Sequence, residues 1–79
     1  MDQNAKRSPL TSQQLLDLYF LDMRCHLLEV AAGFDRIQQA QGAEATLNDA
    51  RLKKLRAALD VLASSSPDRA ERFLDLFSE

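Results

Sequence analysis

One cysteine, one histidine, two glycines, two prolines and no tryptophan leave this 79-residue chain with few of the side chains on which chemistry is usually built. A lone Cys25 cannot close an internal disulfide, and with only His26 beside it there is no ligand set at metal-site spacing. Being adjacent, Cys25 and His26 point about 100° apart on a helix and cannot act together as nucleophile and base. Two glycines do not make a phosphate-cradling loop, and strand-turn-helix nucleophile signatures and internal repeats are missing as well. No apolar run approaches the ~20 residues that span a bilayer. The polar start, Met1 to Pro9, lacks the apolar core of a signal peptide. Neither sign of charge dominates: 10 basic and 12 acidic residues give a net charge of −2, without the strongly basic face of a nucleic-acid binder. These absences argue against an enzyme and call for no catalytic residue, cofactor or metal. The free thiol fits a reducing, cytoplasmic setting.

Size adds a further constraint. A chain this short hides only about 60% of the surface that its unfolded form exposes, so its own core is marginal. Small domains compensate with disulfides, a metal or a second subunit. With the first two lacking ligands, association is the device left.

What the sequence does have is one long amphipathic stretch, Thr11 to Gly42. Leu16, Phe20, Met23, Leu27, Val30, Phe34 and Ile37 are spaced alternately four and three apart, a continuous seam along a helix. Leu18, Leu21, Cys25, Leu28 and Ala32 form a second stripe about a third of a turn away. Asp17 and Arg24 lie in the strip between the stripes, and Asp22, Glu29 and Arg36 line the far side. A helix with two apolar stripes needs two packing partners.

The predicted boundaries follow from capping chemistry. Residues 1–10 read as a disordered polar tail carrying Lys6 and Arg7, and 11–79 as one helical domain. Thr11 with Gln14 has capping-box spacing, Leu10 with Leu15 that of a hydrophobic staple, and Gly42 suits a left-handed helix end. The first helix is therefore expected over about 12–41, ~45 Å long at 1.5 Å per residue. That exceeds the ~30 Å diameter of a compact globule of this size. Ala43 to Thr46 read as a short connection. Asn48 is expected to cap a second helix (about 49–63) with the stripe Leu52, Leu55, Leu59 and Leu62, and Leu47 with Leu52 repeats the staple. After Ser64-Ser65-Ser66, Ser66 as cap and Pro67 at the first helical position begin a third helix (about 67–77), burying Ala70, Phe73, Leu74 and Phe77. The expected fold is all-α: one long helix packed by two shorter ones, the bundle completed by dimerisation. Either stripe of the long helix is then the interface. Leu18, Leu21, Cys25, Leu28 and Ala32 are the candidates when the seam is core.

Three further features carry a functional reading beside a plainer one. His26 has Asp22 and Glu29 within helical reach, which favours its protonated form, but a surface charge cluster explains them equally well and is preferred. Arg51, Lys53, Lys54 and Arg56 form the densest basic run. As phosphate contacts they would make a nucleic-acid-associated regulator. They diverge around the helix, have no aromatic neighbour for base stacking, and have Asp49 and Asp60 four residues from Lys53 and Arg56. A solvated face is preferred. Gly33, inside the long helix, marks either a close backbone approach or a simple weakness.

The stretch Leu15 to Ile37, with its Phe34-Asp35-Arg36 turn, and the ending Arg72-Phe-Leu-Asp-Leu-Phe-Ser resemble a family of small bacterial all-helical proteins of unknown function. The resemblance implies a bacterial, cytoplasmic protein and carries no activity, cofactor or site. The functional expectation is a non-enzymatic interaction module. It is a homodimeric helical bundle acting as scaffold or small regulator, whose partner is itself or another helical protein, with neither nucleic acid nor membrane.

Overall fold

The computed structural model describes residues 9–78. Most of the expected tail, including Lys6 and Arg7, lies outside the described residues, as does residue 79. The fold is all-α. Among the described residues there are four helices: α1 (Ser12–Gln39), α2 (Ala43–Thr46), α3 (Ala50–Ala63) and α4 (Arg69–Phe77). The chain divides into two compact units, Met1–Arg36 and Ile37–Glu79, with the boundary falling near the end of α1.

The regular structure of the first unit is α1 itself. It starts where the capping chemistry requires. The Thr11 backbone N–H donates to Gln14 Oε1 at 2.9 Å, and the Gln14 N–H donates back to Thr11 Oγ1 at 3.2 Å. Two of the donors orphaned at a helix start are thereby satisfied reciprocally. The helix runs 28 residues, about 42 Å, and the Phe34-Asp35-Arg36 segment is part of it. It ends at Gln39, two residues before the expected limit.

In the second unit the chain leaves α1 through Gly42, whose φ of 85° and ψ of 12° are left-handed. Glycine adopts that conformation without the steric cost other residues meet. The stretch expected to be a plain connection is instead a single helical turn, α2. The Thr46 N–H and hydroxyl both donate to the Gly42 carbonyl, at 3.2 and 3.1 Å. This turn extends through Asn48, with Asn48 N–H on Ala45 O and Asp49 N–H on Thr46 O. The chain first becomes extended at Asp49, so Asp49, not Asn48, caps α3 and accepts from the Arg51 N–H at 2.8 Å.

α3 stops at Ser64, whose N–H and hydroxyl both donate to Val61 O. α4 then begins two residues later than Pro67 suggested. The Ser66 hydroxyl is engaged with the Asp68 carboxylate and does not cap the helix, and Asp68 occupies the cap position without a side-chain cap bond. That hydroxyl holds the Asp68 carboxyl below its ordinary range.

α3 and α4 pack together. The buried apolar residues are Leu52, Ala58 and Val61. Ala58 and Val61 lie beside the leucine stripe, so the face α3 buries is turned from the expected Leu52, Leu55, Leu59, Leu62 line; the last three remain between 38% and 44% exposed. The link between the two helices is fastened by arginine. Arg69 Nε donates to Ser64 O at 2.7 Å, and Arg72 Nη1 to Ser64 Oγ at 3.3 Å. This orientation turns Phe73 and Leu76 inward as half-buried residues, with the Phe73 and Phe77 rings 5.0 Å apart. Leu74, expected on the buried face with Ala70, points outward in the single chain at 68% exposure; Ala70 is exposed as well.

Candidate functional site

The site is α1. None of its residues is buried. A helix nucleus is costly, and most helical stability in proteins comes from tertiary packing of the apolar face. Along the seam, Leu16, Phe20, Met23 and Leu27 are 53–57% exposed, Val30 and Ile37 are 42% and 39% exposed, and Phe34 is half-buried. On the second stripe, Leu18, Leu21 and Leu28 are 59–63% exposed; Cys25 is an exposed free thiol, and Ala32 is half-buried. Tyr19, which the sequence reading did not assign, joins the seam's border at 52% exposure. Its signal was present, since it lies four residues before Met23 and seven before His26. Exposed apolar side chains thus run along both stripes of α1.

The chemistry around this surface is sparse. His26 Nδ1 lies 3.0 Å from Glu29 Oε1, both side chains being about three-quarters exposed, and Asp22 is not joined to them. An exposed pair of this kind contributes little. Among the described residues no three of His, Cys, Asp and Glu gather into a possible metal set. No described helix is long and apolar enough to cross a membrane.

The basic run of α3 is partly engaged. Arg51 makes two bonds to Asp49, Nε to Oδ1 at 3.1 Å and Nη2 to Oδ2 at 3.0 Å. The guanidinium and the Arg51 N–H together hold the Asp49 carboxyl at about 2, and the carboxylate raises Arg51 in turn. Sequence spacing pointed to Lys53 as the partner of Asp49. The i,i+2 pair was overlooked because such neighbours diverge inside a helix. Asp49 stands outside α3 as its cap, and from there its side chain reaches Arg51. Lys53 and Arg56 are exposed, and Lys54 is half-buried. At about 100° per residue the four positions spread around α3 and do not form one stripe. Beside the Asp49–Arg51 pair lies a shallow depression of about 340 Å³ bordered by Ile37, Thr46, Leu52 and Leu55.

Comparison of the chain with protein-family models, with curated proteins and with solved structures finds no match in any of the three.

Proposed function

We propose that this protein is a non-enzymatic interaction module that works by association through α1. It is a helical bundle completed by a second chain, serving as a scaffold or small regulator. The observation that carries this reading is the bare α1, a helix of 28 residues with no buried side chain and two exposed apolar stripes. At roughly 25 cal/mol per Å² of apolar surface removed from water, covering even one stripe offers several kcal/mol. A domain of this size has little other means of stabilisation. The exposed Cys25 thiol supports a reducing, cytoplasmic setting.

The test is the mass of the full chain in solution. Light scattering at micromolar concentration should give about twice the 8.9 kDa chain mass, falling toward the monomer on dilution. A chain that stays monomeric into the hundred-micromolar range would refute association as the role of α1.

A further inference from the structure

The open part of the seam is not evenly spread along α1. It is widest over Leu16, Phe20, Met23 and Leu27, and narrows through Val30 and Phe34 to Ile37, which borders the depression of the second unit. The centre of the open segment falls between Phe20 and Met23. The strip beside it carries two charges, Asp17 and Arg24, one helical repeat apart. Arg24 has no hydrogen bond or ion pair among the described residues, and Asp17 is bonded by the neutral Gln13 amide at 3.1 Å.

We infer that the occupant of this segment is a second copy of the chain, lying antiparallel on Leu16, Phe20, Met23 and Leu27, with Asp17 of each copy paired to Arg24 of the other. The inference rests on the self-association proposed above and fixes its face, direction and register. A twofold axis beside Leu21 and Asp22 sets Leu16 opposite the partner's Leu27 and Phe20 opposite the partner's Met23, the layer pattern of antiparallel helices. The same operation sets Asp17 beside the partner's Arg24 and, by symmetry, Arg24 beside the partner's Asp17. On the opposite border of the seam the same register sets Tyr19 beside the partner's His26, so no like charges meet there.

Other arrangements fare worse. Sliding the partner by one heptad in one direction brings the two Arg24 side chains together; sliding it the other way brings the two Asp17 together. A parallel pair sets Asp17 against Ser12 and Arg24 against Tyr19, leaving both charges without an opposite. Antiparallel self-pairing on the Leu18, Leu21, Cys25, Leu28 stripe brings its outer border, Asp22 and Glu29, against acidic residues of the other copy. Like charges placed together disfavour a wrong partner more effectively than opposite charges strengthen the right one.

The experiment is a charge exchange read by sedimentation equilibrium of the full chain. Asp17→Arg and Arg24→Asp should each raise the dimer dissociation constant about tenfold, since each converts both symmetric pairs into repulsions. The double variant, which restores opposite charges, should return to within about threefold of the parent. Both side chains are exposed, so the helicity of all three variants by circular dichroism should be unchanged. Direction is read separately with a nitroxide on Ser12→Cys in a Cys25→Ser background. The proposed register puts the two labels about 30 Å apart along the axis, whereas a parallel pair puts them about 10 Å apart. A dimer whose double variant is as weak as the singles, or whose labels lie at about 10 Å, overturns this pairing and leaves self-association standing. A monomeric parent overturns both.

Discussion

The two glycines of this chain make opposite demands, and exchanging each for alanine separates the conformational term from packing. Gly33 lies within α1 at ordinary helical φ, and a Cβ added there meets nothing within 4 Å. Gly42 also has open space around it, but its φ is +85°. Since neither substitution creates a clash, each effect is the backbone's alone. Gly33→Ala gains the difference in helix propensity, about 0.8–1 kcal/mol. Gly42→Ala forces a left-handed residue and costs about 1–2 kcal/mol. For a domain of this length 1 kcal/mol moves the melting temperature by roughly 4–8 °C, so the two variants should melt on either side of the parent, ten degrees or so apart. The assay is thermal unfolding followed by circular dichroism at one fixed chain concentration, since association makes the midpoint concentration-dependent. A Gly33→Ala variant that melts below the parent would refute the reasoning, because only a surface pressed against Gly33 would explain the loss. Gly33 lies outside the six residues of the proposed pairing, so the dimer dissociation constant should not rise in this variant.

Two further outcomes test local features. Thr11→Ala removes the hydroxyl half of the reciprocal cap and should cost about 1 kcal/mol, with faster amide exchange confined to the first turns of α1; uniform exchange along the helix would contradict the capping role. The Asp49 carboxyl is held at about 2, below its ordinary 3.8, so its contribution is complete above about pH 4 and is lost as pH falls through about 2. Urea midpoints taken across that interval should decline more steeply for the parent than for Asp49→Asn, and parallel curves would show that the Asp49–Arg51 pair is not linked to folding.

The parts of the fold legible in the sequence are those set by nearest neighbours along the chain. The Thr11–Gln14 box and the left-handed Gly42 are local properties, and each is where the spacing placed it; the four-three seam lies on one helix, but the core role expected for it is not met within the single chain, where none of its residues is buried. The α3 cap moved from Asn48 to Asp49 because the one-turn helix before it uses Asn48. Two adjacent side chains are equally good caps, and only the preceding turn decides between them. The start of α4 moved from Pro67 to Arg69 for a related reason, the engagement of Ser66 with Asp68. Which face α3 buries was harder to read. The stripe of leucines is the more hydrophobic choice, but with α4 packed on α3 and Arg69 and Arg72 bonded to Ser64, the residues buried beside Leu52 are Ala58 and Val61. In α4 it is Leu76 that is half-buried, while Leu74 is exposed. The two apolar stripes of α1 can be counted directly from the sequence, because helical spacing alone places them.

Two uncovered faces also give α1 a valency of two. A face that meets its own copy about a twofold axis closes on itself and ends the assembly at a pair, whereas a face that meets some other surface of a neighbour propagates into rings or fibres. In the proposed pair the seam closes. The Leu18, Leu21, Leu28 face then decides whether growth stops. In the proposed assembly its acidic border, Asp22 and Glu29, would serve as an electrostatic guard between pairs, and a guard of that kind is only as long-ranged as the ionic atmosphere allows, about 10 Å in 0.1 M salt and about 3 Å in 1 M. On that proposal salt acts on the two faces in opposite senses: it weakens the attraction between Asp17 and Arg24 that would align the pair, and relaxes the repulsion that would keep one pair from adding to the next.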